Sequence, residues 1–119
     1  GARAASSRHR GPRRSEEPTT QRFFDNGVVA GAAGADLNLG CPQLRAKDGG
    51  YGAYLAEESW SLCAAIISAG RAATSEAFAI TAKIRLQPVR ADTTRFARVL
   101  VEAGAALLCL HARPRGRTD

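Results

Sequence analysis

Residues 36–55 read DLNLGCPQLRAKDGGYGAYL, and this stretch joins a strand pattern to a glycine-rich segment. Ala35–Leu39 alternates apolar and polar side chains, which is the period of a β-strand. The strand passes directly into GCPQLRAKDGGYGA, where four glycines and a proline predict a loop. Cys41 therefore stands just past the C-terminal end of a predicted strand.

The segment after this loop predicts a helix followed by a second strand. Ser59 is a candidate N-cap for EESWSLCAAIISAGRAA, and Ala79–Arg85 has the composition of a strand. The apolar stripe that we expect to face the core falls at spacings i, i+3, i+4 and i+7. It consists of Leu62, Ala65, Ile66 and Ala69.

A second helix and a third strand repeat this order. DTTRFARVLVEAG can be capped by Asp92 at its start and by Gly104 at its end, and Ala106–His111 is again a strand pattern. Its apolar stripe is Phe96, Val99, Leu100 and Ala103. Short apolar strands joined by helical crossovers predict an α/β fold with a parallel sheet.

Each of the three predicted strands has one aliphatic face and one face that becomes polar toward the C-terminal end. Parallel strands buried on both faces are normally apolar throughout, so three polar ends of matching parity indicate a shared site. The alternative is that each polar residue is merely the exposed end of its strand. The residues of the predicted site are Asn38, Cys41, Lys83, Arg85, His111 and Arg113.

The chemistry of this set suits an anionic or electron-rich ligand. Lys83 can hold negative charge on a reduced ring, and His111 can donate to a carbonyl or a ring nitrogen. Cys41 can act as a nucleophile or a proton donor. The other two cysteines, Cys63 and Cys109, are predicted to be small buried hydrophobes, and no cysteine or histidine spacing predicts a metal site.

The net charge of +6 is concentrated at the two ends of the chain. Residues 1–22 carry six arginines and two glutamates, and three more arginines follow from residue 113 onward. Basic ends suit a polyanion such as RNA, and they equally suit a solvated tail. We predict a disordered basic tail over 1–22 and a barrel domain over 23–119. Neither a membrane span nor a secretory signal is predicted, and the absence of Met suggests a fragment or a processed product.

DLNLGCPQLRAKDGGYGAYL closely resembles the signature of the tRNA-dihydrouridine synthases. TAKIRL at 81–86 and LHAR at 110–113 follow at that family's spacing, so the resemblance runs from about Ala35 to Arg113. It implies a partial TIM-type barrel that binds FMN at its C-terminal mouth, with NADPH as reductant and tRNA as substrate. Within that family, the residues NLGCPQ and AKDGGYGA are most similar to the eukaryotic branch that acts on neighbouring uridines of the tRNA D loop.

The resemblance also implies roles for the site residues. Cys41 would be the general acid, and Asn38 and Arg85 would contact the substrate. Lys83, His111 and Arg113 would contact the cofactor. It further implies a monomeric full-length enzyme in the cytoplasm or nucleus.

Only three of the eight barrel strands are recognisable, and their motifs correspond to the fourth to the sixth strands of the family. We therefore expect a fragment that is inactive alone. Two other interpretations stay open at this point. One is a different FMN-dependent barrel oxidoreductase of the dihydroorotate or enone type. The other is a truncated, non-catalytic product with weak RNA affinity.

Overall fold

The structure is a computed structural model that describes residues 19–116. Its described residues form five helices and three strands. In chain order these are α1 (Thr19–Val29), β1 (Gly34–Leu39), α2 (Leu44–Gly49), α3 (Gly52–Glu58), α4 (Trp60–Ala73), β2 (Ala79–Leu86), α5 (Arg90–Ala103) and β3 (Leu107–Pro114).

The strands form one parallel sheet in the order β1, β2, β3. Leu39 lies opposite Ile84, which in turn lies opposite Leu110. Each strand is joined to the next through helices, as in consecutive units of a (β/α)8 barrel. The predicted α/β class with three parallel strands and crossover helices is confirmed.

The strand bounds differ slightly from prediction, and most at the end of β3. The register of β3 against β2 shifts between Arg85 and Leu86, and pairing resumes with Leu86 opposite Pro114. As a result β3 runs three residues past its predicted end at His111. The irregularity lies at the polar end of the sheet, where such bulges commonly redirect side chains.

The aliphatic face of the sheet is covered by α4 and α5. Leu39, Ile80 and Ile84 on the strands are 1–2% exposed, and Phe96 and Leu100 of α5 are fully buried beside them. Burial of these large side chains supplies the main favourable free energy of folding. The stripe predicted for α5 is correct at its two largest residues.

The stripe predicted for α4 is displaced by one residue. Cys63, Ile67 and Gly70 are the buried positions, whereas Leu62 is 49% exposed. Both stripes are apolar in sequence, so periodicity alone does not separate them. The ring of Phe24 in α1 packs directly on Gly70, and only a face with a glycine allows this close approach.

The predicted loop after β1 is wrong over most of its length, because it contains the short helices α2 and α3. The glycines stand at helix ends. Gly50, with φ 69°, is the C-cap of α2, and Gly52, with φ 66°, is the first residue of α3. Both conformations are left-handed, so the glycines mark the turn between two helices.

The predicted caps are partly correct. The hydroxyl of Ser59 accepts from the backbone N–H of Leu62 at 3.1 Å, and Gly104 ends α5 with φ 124°. Asp92 is not the N-cap of α5, because the helix already begins at Arg90. Its carboxylate instead pairs with Arg95 one turn later, at 2.9 Å.

The boundary of the predicted basic tail also changes. Helix α1 begins at Thr19, so the last four residues of the predicted tail, 19–22, are helical. The remainder of that tail, 1–18, lies outside the described residues. Between residues 19 and 116, no helix is long and apolar enough to cross a membrane.

We expect Gly70→Ala to destabilise the protein, because an added methyl group would collide with the ring of Phe24, which is 4% exposed. Overpacking of this kind costs about 1–3 kcal/mol. Urea denaturation followed by circular dichroism measures the change in the free energy of unfolding. The control is Gly27→Ala, which replaces a helical glycine. Its added methyl group would lie at an ordinary 3.5 Å from the ring of Phe78. It is expected to leave stability unchanged or raise it by up to about 1 kcal/mol. Equal stability of both variants would contradict the close packing of α1 on α4.

Candidate active site

The face of the sheet that points away from the helices carries its side chains in rows. Asn38, Lys83 and Cys109 are register partners and form one row, and all three are exposed. Arg85 and His111 form the next row toward the C-terminal end. Side chains of three neighbouring strands thus share one open surface, as the matching parity of the strand ends predicts.

Arg113 follows two residues after His111, near the end of β3, and is exposed. Arg113, Arg85 and Lys83 all lie near enough to His111 to affect its titration electrostatically. The predicted cationic residues are therefore neighbours at one end of the sheet. This end is where α/β barrels bind their ligands.

Cys41 lies in the segment immediately after β1, and both its backbone N–H and its carbonyl oxygen are hydrogen-bonded. The side-chain oxygen of Asn38 accepts from the backbone N–H of Gly40 at 2.9 Å and of Cys41 at 3.2 Å. This turn is one that asparagine forms readily with its own following backbone. With its oxygen engaged, Asn38 has its amide NH₂ left to offer a ligand.

The carbonyl oxygens of Gly40, Cys41 and Pro42 accept three hydrogen bonds from elsewhere in the fold. Arg85 Nε donates to Gly40 at 2.7 Å. The backbone N–H of Ala53 donates to Cys41 at 3.0 Å, and the hydroxyl of Tyr54 donates to Pro42 at 3.0 Å. We call Gly40–Pro42 the cysteine loop. Its carbonyl groups are fixed by β2 and by two positions of α3.

Gly52 makes this arrangement possible. A Cβ atom at this position would stand 2.6 Å from the Cys41 carbonyl oxygen and 3.0 Å from the Cys41 Cβ. Those distances are too short for any side chain, and the positive φ of Gly52 also disfavours one. Glycine at position 52 lets the start of α3 approach the cysteine loop closely enough for Ala53 to bind it.

The electrostatic environment favours a neutral His111. Partial removal from water lowers the pKa of His111, and the positive charges of Arg85, Arg113 and Lys83 lower it further. Both causes penalise the imidazolium form. At neutral pH the ring therefore has one N–H donor and one acceptor nitrogen.

The other two cysteines differ from each other. Cys63 is fully buried in α4, and burial raises the pKa of its thiol to about 11, so its prediction as a small core residue is confirmed. The same prediction is wrong for Cys109, which is exposed in the row with Lys83. The parity of β3 already placed Cys109 on the open face, and its apolar neighbours in sequence concealed this.

Sequence reasoning missed three residues beside the site. Arg115, just after β3, donates to both carboxylate oxygens of Glu57 in α3 at 2.9 Å and lies over the ring of Tyr54. In the sequence, Arg115 stands out only as part of the basic C-terminal end, for which a polyanion partner and a solvated tail are both open. Glu57 and Arg115 are 58 residues apart, and no local pattern signals such a pair.

Within residues 19–116, no group of three or more His, Cys, Asp or Glu side chains is arranged to hold a metal ion. The six residues of the predicted site supply a thiol, an amide, an imidazole and three cationic side chains.

Comparison with known proteins identifies the family of this chain. The model of the family described as Dihydrouridine synthase (Dus) matches residues 17–119. A tRNA-dihydrouridine(16/17) synthase of Schizosaccharomyces pombe is 42% identical over 80 residues, covering 67% of this chain and 19% of that protein. A protein of Rattus norvegicus, named as tRNA-dihydrouridine(16/17) synthase-like, is 45% identical over 80 residues, covering 67% and 18%. A tRNA-dihydrouridine(16) synthase of Ralstonia nicotianae is 42% identical over 85 residues, covering 69% and 25%.

The chain belongs to the dihydrouridine synthase family, and its sheet is part of that family's TIM barrel. It spans between about a fifth and a quarter of the length of these three relatives. The family match begins at residue 17 and includes α1, so the resemblance is wider than the range from Ala35 inferred from motifs alone.

We expect the imidazole of His111 to titrate below the ordinary value for histidine, and Arg113→Gln to raise its pKa by removing one neighbouring positive charge. Because the folded-state pKa is depressed, the protein loses stability as the pH falls through the unfolded-state pKa of this histidine. NMR titration of the His111 ring protons measures the shift. The control is Arg98→Gln on the exposed side of α5, which should leave the titration unchanged. A His111 pKa above the ordinary value would contradict the cationic environment.

Proposed function

We propose that this chain carries part of the active site of a tRNA-dihydrouridine synthase, which reduces uridine in tRNA to 5,6-dihydrouridine. The observation that carries the proposal is the cysteine loop. It holds Cys41 at the C-terminal edge of a sheet whose open face presents Asn38, Lys83 and His111. Family membership and the names of the relatives support the same activity.

FMN is the cofactor that we propose for the open face, and the donor set fits its ring system. Lys83 lies in a row between Asn38 and Cys109, and the neutral His111 lies in the next row. A surface that combines positive charge with nitrogen donors suits an electron-rich heterocycle. Lys83, His111 and Arg113 would hold the cofactor. Bound FMN would supply the hydride for C6 of uracil, with NADPH as the external reductant.

Cys41 has the central chemical role among the residues of this chain. Addition of a hydride at C6 of the uracil enone leaves an enolate, which becomes dihydrouracil when C5 receives a proton. The thiol of Cys41 gives that proton and becomes a thiolate, and solvent later restores the thiol. An acid is needed on the face of the base that meets the cysteine loop.

Asn38 and Arg85 would orient the substrate. The side-chain oxygen of Asn38 is engaged by the cysteine loop, which leaves its NH₂ group to donate. This NH₂ can donate to a carbonyl oxygen on the Watson–Crick edge of uracil. Arg85 is already bound to the carbonyl of Gly40, so its contribution includes holding the cysteine loop as well as adding positive charge. A base presented to this site must leave the tRNA stack.

The substrate that we propose is tRNA with neighbouring uridines in its D loop. The names of the relatives from Schizosaccharomyces pombe and Rattus norvegicus carry the positions 16 and 17 and a nicotinamide co-substrate, NAD(P)(+). Those names support a preference for these positions in this chain.

In the intact enzyme, Cys41→Ala should lower the rate of dihydrouridine formation by roughly 10²–10⁴-fold, the usual loss when a general acid is removed. Flavin reduction by NADPH should be unaffected, because it precedes the proton transfer. Stopped-flow absorbance follows the flavin, and mass spectrometry of digested tRNA measures dihydrouridine.

The matched control is Cys63→Ala, which removes a thiol from the core of α4 and not from the site. Its turnover should be near that of the unmodified enzyme at a temperature where it is folded. An active Cys41→Ala enzyme would refute the acid assignment.

Lys83→Met in the intact enzyme should reduce the flavin content or slow flavin reduction, because methionine keeps the apolar stem but not the charge. Absorbance gives flavin per protein chain. The control is Lys47→Met, which alters an exposed lysine in α2. If Lys83 only met solvent, its replacement would cost less than about 0.5 kcal/mol, as most surface changes do. Unchanged flavin content together with an unchanged reduction rate would then exclude Lys83 from the cofactor site.

A further inference from the structure

A cluster of three side chains connects the end of β3 to the cysteine loop. Arg115 Nε donates to Glu57 Oε2, and Arg115 Nη2 donates to Glu57 Oε1, both at 2.9 Å. The guanidinium carbon of Arg115 lies 4.6 Å from the centre of the Tyr54 ring. The hydroxyl of Tyr54 donates to the carbonyl of Pro42 at 3.0 Å. We call Tyr54, Glu57 and Arg115 the Tyr54 cluster.

The ion pair in this cluster is partly buried and two-pronged, unlike a typical exposed surface pair. The side chain of Glu57 is 19% exposed and that of Arg115 is 36% exposed. The two parallel hydrogen bonds fix the plane of the guanidinium group, which then lies against the aromatic ring. The hydrogen bonds to Glu57 also raise the pKa of Arg115. The ring of Tyr54 is therefore confined between its own helix and a fixed cation.

The location of the cluster connects two parts of the site. Pro42 directly follows Cys41, and Arg115 comes two residues after Arg113 on the segment that begins with His111. A displacement of the β3 end would move Arg115, then the Tyr54 ring and then the Pro42 carbonyl. The contacts run from the segment just after β3 to the carbonyl of Pro42, the residue that follows Cys41.

We propose that the Tyr54 cluster positions the thiol of Cys41 for proton transfer, with Tyr54 as the residue that contacts the cysteine loop. This inference rests on the proposed function, in which Cys41 is the acid. Tyr54, Glu57 and Arg115 are positioning residues, because they act through the Pro42 carbonyl and touch no reacting atom. Small displacements of a catalytic group reduce rates strongly, so an anchor one residue from the thiol has a direct effect on the protonation step.

The test is Tyr54→Phe in the intact enzyme, which removes one oxygen atom and keeps the ring beneath Arg115. The matched control is Tyr51→Phe, because Tyr51 is exposed and its hydroxyl makes no hydrogen bond within residues 19–116. We expect Tyr54→Phe to slow dihydrouridine formation in a single turnover by about tenfold, the effect of losing one anchoring hydrogen bond. Flavin content and the rate of flavin reduction by NADPH should match those of Tyr51→Phe.

A second readout does not depend on activity. The rate at which iodoacetamide alkylates Cys41, followed by mass spectrometry of the Cys41 peptide, reports the freedom of the cysteine loop. We expect faster alkylation in Tyr54→Phe than in Tyr51→Phe, because the Pro42 carbonyl loses its partner. Arg115→Lys, which keeps the charge and loses the two-pronged pairing, should give the same change in the same direction. The double variant Tyr54→Phe/Arg115→Lys should slow dihydrouridine formation by less than the product of the two single effects, because both substitutions weaken the same contact with Pro42.

The outcomes separate this inference from the proposed function. If Cys41→Ala forms dihydrouridine normally, the proposed function fails. If Cys41→Ala is inactive while Tyr54→Phe equals Tyr51→Phe in both single-turnover rate and alkylation, only the positioning inference is overturned. A matching loss of flavin in Tyr54→Phe would also overturn it, because the role would then be general folding. Should Tyr54→Phe melt well below Tyr51→Phe, Glu57→Gln is judged by the same two readouts.

Discussion

Three successive backbone carbonyls, those of Gly40, Cys41 and Pro42, are held by hydrogen bonds from β2 and from α3, and the geometry of the candidate site depends on these bonds. Polar backbone groups just beyond a strand end have no sheet partner and must find one elsewhere. Here the partners come from the Arg85 side chain, the Ala53 N–H and the Tyr54 hydroxyl. The bond from Ala53 requires glycine at position 52, because any side chain there would collide with Cys41. The result is a cysteine whose backbone is fixed by hydrogen bonds from the protein itself.

The two faces of the sheet have different roles, one in stability and the other in the candidate site. The face toward α4 and α5 buries aliphatic side chains such as Ile80 and Ile84 and supplies most of the free energy of folding. The opposite face collects Lys83 and Arg85 beside His111, and like charges at that proximity repel each other. That arrangement costs stability, and the anionic or electron-rich ligand that we propose would offset the cost on binding. A functional surface is where such an exception to ordinary packing is expected.

Some predictions from sequence failed for identifiable reasons. The glycines after Cys41 predicted a loop, although they end one helix and begin another, because glycine marks helix ends as well as loops. Cys109 was predicted to be buried from its apolar neighbours, although its parity on β3 places it beside Lys83. The buried stripe of α4 was displaced by one residue because two adjacent stripes are both apolar. The packing of Phe24 on Gly70 selects between them.

The sequence by itself determined the three strands and the parallel class, because apolar strand patterns alternate with helical ones along the chain. It likewise determined the common face of Asn38, Lys83 and His111, because side-chain alternation along a strand is a local property. It also determined the family, since the motifs at 36–55, 81–86 and 110–113 stand in order. Tertiary structure alone decided the surroundings of Cys41. The partners of the cysteine loop come from residues up to 45 positions away, and Glu57 meets Arg115 across 58 positions. No local period encodes contacts of that range, because they exist only once the strands have paired and α3 has packed against the end of β1.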